Sequence, residues 1–136
     1  MTKKIIVTII IFIAVISGGY YVYDSMFPVA KPIQCPSIED ISSINVSTGD
    51  NKESKILGTD FARIIIYISN SKPTRIMSVN DFPVVRPSYK IEVSTGEKTF
   101  NYYVYENKNK VYVERPYEGI YIIDSQVINI VSMPAV

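Results

Sequence analysis

The chain contains no histidine and only one cysteine, Cys35, among its 136 residues. The absence of histidine removes the commonest general base near neutral pH and the commonest transition-metal ligand. A single cysteine forbids an internal disulfide bond. We therefore expect no metal site, no bound cofactor and no stabilisation by disulfides.

The chain also lacks an excess of charge of either sign, with 14 Lys and Arg against 13 Asp and Glu. Removing Lys3 and Lys4, which precede the first apolar run, leaves 12 basic and 13 acidic side chains for the rest. So balanced a surface has no cationic field to neutralise phosphates, and we expect no nucleic-acid partner.

What the sequence does contain is a long apolar run near its start, from Ile5 to Ile16, interrupted only by Thr8. The stretch continues to Tyr23, and a helix of these 19 residues is about 28 Å long, close to the roughly 30 Å hydrocarbon core of a bilayer. The pattern predicts a transmembrane anchor within residues 1–26.

The residues that flank this run predict its orientation. Lys3 and Lys4 favour a cytoplasmic N-terminus, and three tyrosines at the far end are typical of an interfacial aromatic belt. We expect a single-pass protein of the cell membrane with its C-terminal domain outside the cytoplasm. The alternative is a secreted protein, because Ser17-Gly18-Gly19 offers small residues where signal peptidase cuts.

Prolines 28, 32 and 36 punctuate residues 27–36, which we interpret as a stiff, extended linker. Residues 37–136 suit one domain. Within it, Ile44-Asn45-Val46-Ser47 alternates as a strand does before a turn at 49–52. Between Thr59 and Ser69 apolar residues recur at helical spacing, with Thr59 or Asp60 as N-cap. That stripe consists of Phe61, Ile64, Ile65 and Ile68. A strand is the alternative, because Ile64-Ile65-Ile66 is a β-branched run.

Alternating segments later in the chain predict a three-stranded antiparallel meander. They run over 89–94, 100–105 and 111–114, with turns at 95–97 and 107–109. Extended chain resumes at 119–122, and Asp124 or Ser125 can cap a final helix. We predict an α+β fold in which the meander, with one or two further strands, packs on one or two helices through its aliphatic face.

Tyr103 and Tyr105 share the other face of this sheet, and Tyr112 lies opposite them on the next strand. Exposed, this aromatic face would stack on sugar rings or dock a partner. Alternatively, the segment from Ser78 to Pro87 or the last helix folds over the tyrosines and buries them.

No catalytic residue stands out by its spacing. Ser69-Asn70-Ser71-Lys72 imitates the S-x-x-K motif of penicillin-recognising enzymes, but the other motifs of that site are too close in sequence or incomplete. The carboxylates of Asp81, Glu114, Glu118 and Asp124 form no pattern that selects a reaction. We therefore expect a protein that is not an enzyme.

Two segments resemble those of a bacterial family of unknown function, composed of small single-span proteins of Gram-positive type with an outward domain. One is Lys72-Pro73-Thr74 with Ser78-Val79-Asn80-Asp81-Phe82-Pro83, and the other runs from Tyr112 to Tyr121 as Y-x-E-x-P-Y-x-G-I-Y. The resemblance implies this topology and membrane association, and no activity. Its candidate structural or binding residues are Lys72, Pro73, Thr74, Ser78, Asn80, Asp81, Pro83, Glu114, Pro116, Tyr117, Gly119 and Tyr121.

We expect these two segments to pack together, with Asn80 and Asp81 hydrogen-bonding the backbone between Pro116 and Gly119. Asp81→Ala would then cost about 1 to 3 kcal/mol through unpaired buried groups. We interpret Gly119 as a position whose backbone conformation a Cβ would forbid. The expected function is a membrane-tethered protein-interaction or sensing module, and the alternative is a cell-wall glycan or peptide binding module using the tyrosine face.

Overall fold

A computed structural model of the chain describes residues 2–49 and 52–132. It begins with an apolar helix, α1 (Lys3–Met26), none of whose side chains is buried. Its 24 residues give a length of about 36 Å. By length and composition α1 can cross a membrane, as the sequence predicts.

Beyond α1 the chain forms one antiparallel sheet of seven strands in the order β2-β1-β4-β5-β6-β7-β3. The strands are β1 (Ile41–Thr48), β2 (Glu53–Lys55), β3 (Lys72–Pro73), β4 (Tyr89–Thr95), β5 (Thr99–Asn107), β6 (Lys110–Arg115) and β7 (Gly119–Ile123). With α2 (Gly58–Ser69) and α3 (Gln126–Val131), the architecture is α+β, as predicted.

The sheet is larger than the sequence predicts. The meander extends to a fourth strand, β7, and the edges are completed by β2 and β3, of three and two residues. Strands so short carry no readable alternation, which is why the prediction missed them. Pro73 lies in β3 at the edge of the sheet, where a missing N–H costs no ladder hydrogen bond.

The tight turn between β5 and β6 is where the sequence places it. Lys108 and Asn109 both have positive φ, 49° and 61°, as the two central residues of a type I′ hairpin turn require. The turn predicted at 49–52 falls partly on Asp50 and Asn51, which lie outside the described residues.

Helix α2 packs on one face of the sheet through its predicted stripe, since Ile64, Ile65 and Ile68 are buried and Ile66 is exposed. The predicted N-cap is wrong: the helix starts after Leu57, which makes no side-chain cap. Asp60 therefore lies inside the first turn, where a carboxylate favours the positive end of the helix dipole.

The core lies between this face of the sheet and the helices α2 and α3. Of the two expected caps of α3, Ser125 holds the N-cap position without a side-chain bond, and the carboxylate of Asp124 accepts a hydrogen bond from the Gln126 N–H at 2.9 Å. Two tyrosines lie among the aliphatic side chains. Tyr102 and Tyr121 are fully buried, and their hydroxyls donate to the carbonyl oxygens of Gln34 and Lys31 at 3.3 and 2.9 Å.

The acceptors of those two bonds belong to residues 27–36, which we call the docked segment. It belongs to no helix or strand, but it is not a free spacer. Ala30 and Ile33 are buried in the core, and the Ala30 N–H donates to the carbonyl of Thr74 at 2.9 Å. This segment joins α1 to the sheet by packing and hydrogen bonds.

Gly119, at the start of β7, is where the docked segment comes closest to the sheet. A Cβ built there would lie 2.7 Å from the Cβ of Ala30 and 3.3 Å from the hydroxyl oxygen of Tyr121. The expectation that Gly119 supplies an unusual backbone conformation is wrong, because no described glycine has a positive φ. The glycine is required by the close approach of Ala30.

This contact generates the first prediction. Gly119→Ala should destabilise the folded chain by about 1 to 3 kcal/mol through overpacking. Adding Ala30→Gly removes the methyl group with which the new Cβ collides, so the double variant should regain about 1 kcal/mol relative to additivity. Denaturant unfolding of the full chain in micelles, followed by tyrosine near-UV circular dichroism, measures both.

Gly58→Ala is the matched control, because a Cβ at Gly58 meets nothing within 4 Å. It should leave the stability unchanged or raise it slightly. Equal effects of the two Gly→Ala changes, or strict additivity with Ala30→Gly, would refute the steric explanation.

Candidate functional site

The structure brings together the two motif segments, 72–83 and 112–121, along the β7 edge of the sheet. Strand β3 pairs with β7, with Lys72 opposite Ile122 and Pro73 opposite Tyr121. Thr74 continues the contact, because its N–H and its hydroxyl both donate to the carbonyl of Ile120, at 3.1 and 2.7 Å. The expected packing of the two segments is therefore observed.

After Thr74 the chain crosses the second face of the sheet as an irregular loop, residues 75–88, here called the crossing loop. Its inward side chain is Ser78, which is buried and donates to the carboxylate of Glu114 at 2.6 Å. The other oxygen of Glu114 accepts from the hydroxyl of Tyr105 at 3.1 Å. A buried carboxylate on β6 thus accepts from two hydroxyl groups, and the bond from Ser78 holds the loop to the sheet.

Burial and the neighbouring carboxylate of Glu114 raise the pKa of Tyr105 above its usual value. The phenol therefore remains a donor even at alkaline pH, where a free tyrosine ionises. Glu114, one of the candidate residues of the second motif segment, has a structural role as the acceptor in this network.

The tyrosine face is buried, which is one of the two outcomes expected from the sequence. Tyr103 and Tyr105 are each 4 % exposed. Phe82 of the crossing loop packs on the ring of Tyr103 with centroids 5.6 Å apart. Half-buried Tyr112 stacks on Tyr105 at 5.8 Å. The crossing loop therefore covers the surface on which a glycan would have stacked.

The second side-chain link between the motifs is exposed to solvent. The hydroxyl of Tyr117 donates to Asp81 at 2.7 Å, and Asn80 is exposed. The expectation that Asn80 and Asp81 bind the backbone of the Pro116–Gly119 turn is wrong for Asp81, whose partner is a side chain. The turn closes on itself through the Glu118 N–H and the Arg115 carbonyl, at 3.1 Å.

Tyr117 has φ of 62° and follows Pro116 in this turn, the position that a type II turn normally gives to glycine. A left-handed backbone at a residue with a Cβ costs about 1 to 2 kcal/mol. Its side chain is 63 % exposed, so burial does not offset that strain.

A cleft of about 440 Å³ opens beside Tyr117, between the crossing loop and the docked segment. Buried Tyr121 and Ala30 form its floor, and the walls are mostly apolar. Its size falls in the range of ligand sites. The wall residues are Pro28, Val29, Lys31, Pro32, Gln34, Met77, Tyr117 and Glu118.

Sequence reasoning nominated Tyr117 and Tyr121 but missed the wall formed by residues 28–34. The prolines that suggested a linker were the available signal, since they hold chain extended for packing as well as for spacing.

Each of the four carboxylates that could have formed a catalytic pair binds a different partner. Glu118 pairs with Arg115 at 2.9 Å, Asp124 caps α3, and Asp81 and Glu114 bind the hydroxyls described above. Within residues 2–49 and 52–132 no cluster of three metal-ligating side chains occurs. Lys72 and Pro73 pair with β7 at the edge of the sheet, and Pro83 lies in the crossing loop. None of the three lines the cleft.

An apolar helix followed by a seven-stranded antiparallel α+β domain defines the class of this protein. The chain belongs to the family DUF5301, described as "Domain of unknown function (DUF5300)", whose model matches residues 29–122. The match includes most of the docked segment together with both motif segments. No functionally curated protein matches the sequence.

A solved structure shares the fold. It is described as "NMR structure of the protein from Ruminococcus gnavus" and superposes with a TM-score of 0.59 at 24 % identity. The likeness covers 71 % of this chain and 98 % of the other.

The two links between the motifs generate the second prediction. Ser78→Ala removes a buried hydroxyl and leaves one oxygen of Glu114 without its donor, so the free energy of unfolding should fall by about 1 to 3 kcal/mol. Tyr117→Phe and Asp81→Ala remove the exposed bond between the same segments, and each should cost less than about 0.5 kcal/mol. Denaturant unfolding of the three variants ranks them. If Asp81→Ala lowered the free energy of unfolding more than Ser78→Ala, the bond between Tyr117 and Asp81, and not that between Ser78 and Glu114, would be the one that holds the segments together.

Proposed function

We propose that this protein is a single-span membrane protein whose folded domain lies outside the cytoplasm and acts as a non-enzymatic interaction or sensing module. The observation that carries the proposal is α1, which is apolar, long enough to span and free of buried residues. An apolar helix that the domain does not cover needs another apolar environment, and the bilayer supplies it. Lys3 and Lys4 before α1 support a cytoplasmic N-terminus.

The cleft beside Tyr117 is the proposed interaction site. Its walls are apolar, with Lys31 and Glu118 as the charged residues among those that line it. This combination suits an extended segment of a partner protein that inserts apolar side chains and sets its backbone against the docked segment. The strained turn keeps the ring of Tyr117 at the cleft entrance, so the site is formed before a ligand arrives.

A non-enzymatic role is supported by the way the polar groups are used. Ser78, Tyr105 and Glu114 are buried in a network under the crossing loop, away from the cleft. The alternative of glycan stacking on Tyr103, Tyr105 and Tyr112 loses its surface, because the first two rings are buried.

The third prediction concerns anchoring and orientation. A Lys108→Cys variant in a Cys35→Ser background, carrying an N-terminal epitope tag, should react with a membrane-impermeant maleimide on intact cells because the β5–β6 turn faces outward. The tag should remain on the membrane-bound product. Labelling only after lysis would overturn the orientation, and a soluble product without its tag would establish the secreted alternative.

The fourth prediction concerns the cleft. A photo-crosslinking residue in place of Gln34, whose side chain is exposed beside the cleft, should join the full-length protein to a partner in intact membranes. The matched control carries the same photo-crosslinking residue in place of Lys108. Gln34 contacts Arg115 at the end of β6, whereas Lys108 lies before the start of that strand, roughly 17 Å away. A product at both positions, or at neither, contradicts the cleft as the site.

A further inference from the structure

The crossing loop exposes an unusual concentration of large apolar side chains. From residue 28 onwards, eleven large hydrophobic side chains are exposed in the described chain, and six of them lie between residues 76 and 85. Val84 is 90 % exposed and Val79 is 70 % exposed. The one charged residue in this stretch, Asp81, is hydrogen-bonded to Tyr117. The six are Ile76, Met77, Val79, Phe82, Val84 and Val85.

These side chains are held outward by the fold. Ser78 binds Glu114 and Phe82 rests on Tyr103, so the loop backbone is pinned to the sheet at two points. Buried Tyr103 and Tyr105 occupy the sheet face beneath the loop, and Val79 and Val84 lie on the solvent side of it. An apolar surface that cannot collapse onto its own domain marks an interaction with another apolar medium.

The position of the loop indicates which medium that is. Arg75, immediately before the loop, forms an ion pair with Asp24 in the last turn of α1 at 2.7 Å. Its guanidinium also lies over the ring of Tyr23 at 5.3 Å and donates to the carbonyl of Phe27. Tyr23 belongs to the aromatic belt that marks the membrane interface. Arg75 therefore fixes the start of the loop at that level.

We infer that residues 76–85 are a second membrane contact, in which the exposed apolar side chains enter the outer interfacial layer of the bilayer crossed by α1. The inference rests on the proposed membrane anchoring. Tethering by α1 keeps the loop permanently at the lipid surface, so a few apolar side chains suffice for a stable contact. The domain then has one face towards the membrane, with the cleft opening beside it.

The chain contains no tryptophan, which makes single-tryptophan variants clean probes of depth. The full-length protein carrying Val84→Trp is reconstituted in vesicles of phosphatidylethanolamine and phosphatidylglycerol, with or without acyl-chain-brominated phosphatidylcholine. Brominated lipid should lower the Val84→Trp emission roughly twofold, because the ring lies at the headgroup and acyl-chain boundary. Val79→Trp, at a second exposed site, should respond in the same way.

Two matched variants distinguish a failure of the membrane anchor from a failure of the lipid contact. Leu57→Trp replaces an equally apolar residue, 60 % exposed, at the start of α2 on the other face of the sheet, and its emission should not respond to bromine. Phe12→Trp reports on α1 itself and should be strongly quenched. If Phe12→Trp is not quenched, the membrane anchor fails.

If Phe12→Trp is quenched while Val84→Trp and Val79→Trp behave like Leu57→Trp, the lipid contact is overturned although the anchor stands. The exposed loop would then be assigned to a protein partner. Both substituted valines are solvent-exposed, so neither change disturbs the core.

Discussion

The contact between Ala30 and the bare backbone of Gly119 determines how the whole molecule is arranged. It allows the docked segment to lie against β7 closely enough for Tyr121 to reach the carbonyl of Lys31 and for the Ala30 N–H to reach Thr74. Because the docked segment continues directly from α1, this contact orients the domain relative to α1. It also forms the floor of the cleft.

The two faces of the sheet bury different kinds of side chains. One face buries an apolar core beneath α2 and α3, including two tyrosines whose hydroxyls reach main-chain acceptors. Burial raises the pKa of Tyr121, so this phenol stays a donor even at alkaline pH, where a free tyrosine ionises. The other face buries a carboxylate and two further tyrosines beneath the crossing loop. Glu114 binds the loop there, and the filled surface below keeps the loop's apolar side chains outside.

Much of the fold follows from local patterns. The apolar run of α1, the stripe of α2 and the alternation of β4 to β6 depend on residues close in sequence, which is why their positions could be predicted. The sequence also indicated that the two motif segments meet. What pattern cannot supply is the identity of contacts between distant residues. Gly119 looked like a conformational glycine because its partner, Ala30, lies far away in the chain.

The same limit explains the other errors. Asp81 was assigned a backbone partner because acidic residues in loops commonly bind nearby N–H groups, whereas the fold brings Tyr117 to it. Residues 27–36 resembled a spacer because proline produces extended chain whether or not that chain is packed. The cleft is formed by three segments that are separate in sequence, so no local signal marked it.

The measurement that tests this account most directly is amide hydrogen exchange at Ala30 in the full chain in micelles. If the docked segment is part of the folded domain, the Ala30 N–H, bonded to Thr74, should be protected to a degree similar to the Ile120 N–H, which is bonded to Ile76. Exchange of Ala30 at the rate of an unstructured peptide, while the amides of β5 remain protected, would show that the segment is a free tether and would contradict the arrangement of anchor, cleft and loop.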